Sequence, residues 1–110
     1  MATPKQPSHA PEPPPADLPA ATDGLADALL TLRDRDEMLR FLRDLCTFQE
    51  LEALTHRWQI VQLLEQHVPY LEIAERVGAS TTTVTRVAQW LRHGAGGYRT
   101  ALDRLRRKRK

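Results

Sequence analysis

The chain has 110 residues, 41% of them hydrophobic and 27% charged, a size and balance that fit one small globular domain. No apolar stretch is long enough to cross a bilayer, and the first residues lack the apolar core of a secretory signal. The single cysteine, Cys46, excludes an internal disulfide, so we expect a cytoplasmic protein.

The net charge of +2 hides a strong asymmetry along the chain. Residues 1–75 carry 6 basic and 13 acidic side chains, whereas residues 76–110 carry 10 basic and 1 acidic. This distribution predicts a polyanionic partner for the last third of the chain. A basic tail that is merely solvated is the alternative.

Composition divides the chain into three segments. Residues 1–22 contain seven of the eight prolines and no helical or alternating apolar period, which predicts a disordered arm. A polyproline ligand segment is the alternative there, since PEPPP is present. Residues 23–105 are predicted to form a helical domain, and residues 106–110 a basic tail.

Three helices are predicted in the first half of the domain, and no run alternates long enough to be a strand. Asp34 and Glu37 have the spacing of an acidic capping box for the second helix, and Thr47 and Glu50 have the standard spacing for the third. The third helix should run to about residue 66. The expected apolar faces are Leu25, Ala28, Leu29 and Leu32; then Met38, Phe41, Leu42 and Leu45; then Leu51, Leu54, Trp58, Val61 and Leu64.

Three shorter helices are predicted to follow. Pro69 suits the first turn of a helix over 70–77 that ends at Gly78, and Ser80 is a good N-cap for a helix over 81–93. Three glycines at 94, 96 and 97 predict a loop before a last helix over 98–107. Six narrow apolar stripes leave much apolar surface uncovered in so small a chain, so we expect a homodimer.

Residues 70–91, YLEIAERVGASTTTVTRVAQWL, have the pattern of a helix-turn-helix. A small residue stands at the fifth position, glycine at the ninth and a branched apolar residue at the fifteenth, where the two helices approach each other and the turn needs a positive φ. A helical hairpin without a nucleic-acid role is the alternative. The predicted core of the motif is Ile73, Ala74, Val77, Gly78, Val84 and Val87.

The second helix of this motif presents short hydroxylated side chains at its start. In a helix-turn-helix this turn enters the major groove, where hydroxyls bond base edges and a threonine methyl contacts a thymine methyl. We therefore expect Thr81, Thr82 and Thr85 to contact bases, and Ser80 and Arg86 to contact phosphates. Threonines that simply face solvent are the alternative.

These motifs resemble the Trp repressor superfamily, and within it the YerC/YecD-like branch. The similarity is carried by LCT at 45–47, EALTHR at 52–57, IAERVGAS at 73–80, TVTR at 83–86 and GAGGY at 94–98. It covers roughly residues 25–105. The resemblance implies an all-helical, intertwined dimer whose TrpR-like helix-turn-helix reads operator DNA.

The resemblance also implies where an effector pocket would lie. Thr47, Arg57 and Arg86 match the threonine and the two arginines that surround the indole in the Trp repressor. However, Val87 replaces a glycine that leaves room for the indole, and Trp90 replaces a serine near the ligand's carboxylate. We therefore do not expect tryptophan as a corepressor, and Trp90 is itself a candidate to fill the space.

The predicted function is sequence-specific binding of double-stranded DNA by a transcriptional regulator, in the simplest case a repressor. The rival is an interaction protein of the same fold that binds a protein or RNA and has only non-specific affinity for DNA. We find no residue pattern typical of an enzyme, a metal site or a cofactor site.

Overall fold

The computed structural model describes residues 18–108, which form six α-helices and no strand. This confirms the predicted all-α class. The Pro-rich arm predicted for residues 1–22 falls mostly outside the described residues, as do residues 109 and 110 of the predicted tail. None of the six helices combines the length and the apolar composition that a membrane span requires. The helices are α1 (Thr22–Leu30), α2 (Arg35–Leu45), α3 (Phe48–Glu65), α4 (Tyr70–Val77), α5 (Thr81–His93) and α6 (Gly97–Lys108).

The predicted capping box of α3 forms completely and that of α2 forms in part. The Glu50 amide donates to Thr47 Oγ1 over 3.1 Å, and the Thr47 amide donates to Glu50 Oε1 over 2.8 Å, so the two residues cap each other. At the start of α2, the Glu37 amide donates to Asp34 Oδ1 over 2.9 Å. The Glu37 carboxylate, however, accepts from the amide of Arg33, one residue further back than in the standard box.

The ends of three helices differ slightly from the prediction. Helix α1 stops at Leu30, so the prediction that Leu32 shares its apolar face is wrong. The Thr31 hydroxyl donates to the Ala28 carbonyl there, at the last turn of the helix. Helix α6 begins at Gly97 and reaches Lys108, one residue beyond each predicted end.

Helix α3 ends in a Schellman motif that explains why it stops at Glu65 rather than residue 66. The His67 amide donates to the Leu64 carbonyl over 2.9 Å, and the Val68 amide donates to the Leu63 carbonyl over 3.1 Å. His67 has a φ of 63°, a left-handed conformation that glycine usually supplies. Pro69 follows in extended conformation as the N-cap of α4.

The chain divides into two compact units, and the first contains residues 15–55. Among its described residues none is fully buried. Several large apolar side chains of this unit are exposed instead, and Leu30 and Phe48 are the most exposed, at 83% and 78%. Helices α1 and α2 therefore have apolar side chains without a core of their own.

The second unit, residues 56–110, contains the hydrophobic core. Helices α3, α4, α5 and α6 all contribute to it, and half-buried side chains including Trp58 and Tyr98 pack around it. Ile60 is fully buried although it stands outside the apolar line predicted for α3, while Leu54 of that line is 45% exposed. The buried cluster is Ile60, Val61, Ile73, Val84, Val87 and Leu102.

Candidate nucleic-acid interface

Helices α4 and α5 contact each other and are joined by a three-residue turn. Gly78 ends α4 with a φ of 79° and a ψ of 36°, in the left-handed region. The amides of Gly78 and Ala79 both donate to the Ala74 carbonyl, over 2.9 and 3.0 Å. Glycine adopts this φ without steric penalty, so the backbone conformation of the turn explains why glycine stands at the ninth position of the motif.

The side chains assigned to the core of the motif lie between α4, α5 and the rest of the second unit. Ile73 and Val84 are completely buried, and Val87 is 1% exposed. Ala74 and Val77 are half-buried and pack against the same cluster. These contacts hold the two helices to each other and to the core, and Arg92 of α5 donates to the Tyr70 hydroxyl of α4 over 3.2 Å. The start of α5 is left at the surface.

Ser80 begins α5 as its N-cap. The Thr83 amide donates to Ser80 Oγ over 3.1 Å, and the Ser80 and Thr83 hydroxyl oxygens are also 3.1 Å apart. When Thr83 is the donor of that second bond, the Ser80 hydroxyl keeps its own proton for a ligand. Ser80 is exposed and Thr83 half-buried, so capping and contact with a ligand are compatible.

The three threonines assigned to bases differ in what they can offer. Thr81 and Thr82 are exposed, and the Thr82 hydroxyl makes no hydrogen bond within residues 18–108. Thr85 is half-buried, and its hydroxyl donates to the Thr81 carbonyl over 3.0 Å. Thr85 therefore has its methyl group and its oxygen lone pairs left for a partner, whereas Thr82 has the full hydrogen-bonding capacity of its hydroxyl.

The charge around this turn is positive. Arg86 is exposed and forms no ion pair with another described residue. The first turn of α5 contains no acidic side chain, and the last turn contains Arg92 and His93. The start of a helix carries partial positive charge, so an anion is favoured at this surface both by Arg86 and by the helix itself.

The three residues that match the effector pocket of the Trp repressor have other contacts in this chain. Thr47 lies in the first unit, where its hydroxyl and amide form the cap of α3. Arg57 lies in the second unit with its guanidinium carbon 6.0 Å from the centroid of the Trp90 ring. The third, Arg86, is the exposed residue described above. An indole of the chain itself therefore lies against Arg57.

Two further aromatic rings, those of Trp58 and Tyr98, pack against each other near this arginine. The Trp58 and Tyr98 rings have centroids 6.2 Å apart and are tilted by 38°. Burial raises the pKa of the Tyr98 phenol, while the positive charge of Arg57 opposes that rise. Arg57 is thus placed among aromatic rings by α3, α5 and the start of α6.

Sequence reasoning missed an ion cluster that joins α6 to the end of α3. Glu65 accepts two hydrogen bonds from Arg99, over 2.9 and 3.0 Å, and a third from Arg106 over 2.6 Å. Asp103 lies 3.7 Å from Arg99 and 4.0 Å from Arg106. Hydrogen bonding to Arg99 lowers the pKa of Glu65, and the same bond raises the pKa of Arg99.

The comparisons with known proteins agree with this geometry. The family model described as Trp repressor protein matches residues 20–106. The chain belongs to the Trp repressor family. It is 38% identical over 84 residues to the uncharacterised protein YerC of Bacillus subtilis strain 168, an alignment that covers 76% of this chain and 81% of YerC. The resemblance predicted from the motifs is therefore confirmed.

Two solved structures share the fold. A TrpR-like protein from Eubacterium eligens superposes with a TM-score of 0.74 at 41% identity, covering 77% of this chain and 88% of that one. A protein from Staphylococcus aureus gives a TM-score of 0.75 at 40% identity, covering 81% and 89%. The TrpR-like fold predicted from the sequence is confirmed by these superpositions, and the family's name is that of a regulator rather than of an enzyme.

Proposed function

We propose that this protein is a transcriptional regulator of the cytoplasm, in the simplest case a repressor, which binds a specific double-stranded DNA sequence through α4 and α5. The observation that carries the proposal is the first turn of α5. There Thr81, Thr82 and Arg86 are exposed, Ser80 caps the helix, and no carboxylate opposes a phosphate. The family to which the chain belongs supports a helix-turn-helix role for these two helices.

Each residue of this turn has a role that follows from its chemistry. Thr81 and Thr82 contact base edges by hydroxyl and methyl, and Thr85 contributes its methyl and lone pairs, because its proton is used within the helix. Ser80 and Arg86 contact phosphates and so fix the register of α5 in the groove. These phosphate contacts of Ser80 and Arg86 carry no base information of their own.

We also propose that the functional form is a homodimer. The support comes from the first unit, in which no described residue is fully buried and several large side chains are exposed. Arg43, Cys46, Phe48, Leu51, Glu52 and Thr55 line an open, mainly apolar groove of about 410 Å³ in this unit. A second copy that covered these residues would complete a core there, as intertwined dimers do. Two copies of α5 would then read a palindrome whose half-sites are about 34 Å apart.

Tryptophan is not part of the proposed mechanism. Val87 fills its position in the core at 1% exposure, and the Trp90 ring already lies against Arg57. A free tryptophan would compete with the Trp90 ring for the same side of Arg57. Thr47, Arg57 and Arg86 are thus at most remnants of an effector pocket.

The decisive experiment is selection of duplexes from random DNA with the purified protein at near-physiological salt, followed by sequencing. We expect enrichment of one palindromic sequence. If nothing is enriched and binding disappears as salt rises, the proposed specific function is wrong, and the fold instead supports binding of a protein or RNA partner. A T81A/T82A variant run in parallel is the control that ties any enriched sequence to α5.

A further inference from the structure

The cationic residues of α6 fall into two groups that do different things. Arg99 and Arg106 are two helical turns apart on one side of the helix, and both bind Glu65 of α3. Arg104 and Arg107 are exposed and form no ion pair within residues 18–108. The same is true of Lys108.

Helical geometry places the unpaired group on the outside of α6. At about 100° per residue, Arg104 and Arg107 lie roughly 160° and 140° around the helix from Leu102, the buried residue of α6. Leu102 faces the core, so these two guanidinium groups point away from it. We call the exposed strip formed by Arg104, Arg107 and Lys108 the outer strip of α6.

The Glu65 cluster also removes the charge that would otherwise oppose an anion. Asp103 is the one acidic side chain in residues 76–110, and it lies 3.7 Å from Arg99 and 4.0 Å from Arg106. Arg107 stands one helical turn beyond Asp103 but forms no ion pair with it. The two carboxylates of the cluster thus face the two arginines that hold α6 in place. The outer strip keeps its full positive charge.

We propose that the outer strip binds the phosphate backbone of the same duplex that α5 reads, whereas Arg99 and Arg106 serve to hold α6 on α3. This assignment rests on the proposed function for its partner, duplex DNA. Leu105 is 40% exposed, but helical geometry places it about 60° from Lys108, at the edge of the strip rather than at its centre. Phosphate binding needs no apolar anchor. A protein partner would need a buried aromatic or aliphatic contact at the centre of its interface.

The test is the salt dependence of DNA binding, measured by fluorescence anisotropy with the full chain. The probes are a duplex recovered by selection and a scrambled duplex of the same composition; a random duplex replaces the first if selection enriches nothing. For each protomer that binds, the R104Q/R107Q variant should lower the slope of log K against log salt by about 1.8 and weaken binding to both probes roughly 30-fold at 0.15 M salt, at about 0.9 in slope per phosphate contact. A bound homodimer doubles the change in slope to about 3.6. Its melting temperature should equal that of the parent.

The matched control removes the same charge from the other side of the helix. R99Q/R106Q should lower the melting temperature and leave the salt slope as in the parent. E65Q, which breaks the same anchor but keeps every arginine, should also lower the melting temperature without lowering the slope, and it replaces the control if the double variant does not fold.

The outcomes separate the two proposals. A parental slope in R104Q/R107Q, or an equal loss of slope in R99Q/R106Q, would overturn the assignment of the outer strip even if the selected duplex is still preferred. Equal binding of the parent to both probes would instead overturn specific recognition by α5. In that case a reduced slope in R104Q/R107Q still supports phosphate binding by the outer strip.

Discussion

Trp90 holds its indole ring against Arg57, with 6.0 Å between the ring centroid and the guanidinium carbon. Arg57 is one of the residues that resemblance placed in an effector pocket, and here its neighbour is a side chain of the same protein. The contact connects α3 to α5 without any small molecule. Arg57 thus has an indole partner that belongs to the chain itself.

Tryptophan should therefore leave the protein unaffected. We expect no change in melting temperature and no change in DNA affinity when millimolar tryptophan is added to the parent. The W90S/V87G variant should acquire a tryptophan-dependent rise in melting temperature, because it removes the indole that lies against Arg57 and opens space at the buried position 87. The variant will start from lower stability, since it loses buried apolar volume. DNA binding by the parent that tightens with tryptophan would show that the corepressor site is retained.

Thr82 and Arg86 should separate specificity from affinity. T82A should reduce the preference for the selected duplex over a scrambled one by about tenfold, as expected for a lost base contact. R86Q should weaken binding to both duplexes by about fivefold per protomer at 0.15 M salt, and by about 30-fold for the bound homodimer, because each protomer loses one phosphate contact. Thr100, whose hydroxyl donates to the Gly96 carbonyl, provides the control variant T100A. Parental preference in T82A would remove Thr82 from the set of base contacts.

Two glycines should respond to alanine with opposite signs. Gly78 has a φ of 79°, so G78A should destabilise the fold by about 1–2 kcal/mol even though the new methyl group meets no atom within 4 Å. Gly24 lies inside α1 with equally open space, and G24A should stabilise the fold by up to about 1 kcal/mol. Urea unfolding of the two variants measures both changes. Equal effects would mean that the turn tolerates a right-handed alternative.

Phe48 should report on the dimer. It is 78% exposed in the first unit, and F48S should shift the protein toward a monomer in sedimentation velocity at micromolar concentration. Leu71 is similarly exposed at 74% but lies on α4, so L71S should leave the sedimentation coefficient unchanged. A parent that sediments as a folded monomer at this concentration would contradict the proposed homodimer directly.

Acid should weaken the attachment of α6 to α3, because it protonates Glu65. Its pKa is lowered in the folded protein, so the stability it contributes is complete above the unfolded carboxyl pKa of about 4.3 and is lost as the pH falls through the lower folded value. E65Q should therefore lose less stability than the parent between neutral pH and the acid range. Glu72, an exposed partner of Arg76, supplies the control E72Q, which removes a carboxylate elsewhere and leaves the contacts of Glu65 intact. Melting temperatures of the parent, E65Q and E72Q across this pH range measure how much stability each loses. An equal loss in the parent and E65Q would contradict the prediction.

Local contacts were predictable from the sequence because spacing alone determines them. The pairs Thr47 and Glu50, and Ser80 and Thr83, are three residues apart in a helical start, and both form as hydrogen bonds. The contacts of Glu65 with Arg99 and Arg106 were not predictable, because 34 and 41 residues separate the partners. Only the packing of α6 on α3 brings these charges together.

Helix ends and faces were predicted less well than helix positions for the same reason. A histidine in the left-handed conformation ends α3, where glycine is the residue that would have made this end recognisable in the sequence. Ile60 is buried because neighbours pack on a broader side of α3 than a single apolar line suggests. The residues of the α5 turn were expected to be exposed, whereas Thr83 and Thr85 are half-buried, and the Thr85 hydroxyl donates to the helix backbone.

The first turn of α5 lacks a stabilising interaction that an acidic side chain would provide at the start of a helix. A carboxylate there would contribute about 0.3–1 kcal/mol by neutralising the positive end of the helix, and the chain has threonines instead. The compensating negative charge must then come from outside the polypeptide. The phosphates of a bound nucleic acid would neutralise the positive end of the helix. Binding would then also raise the free energy of unfolding of the protein.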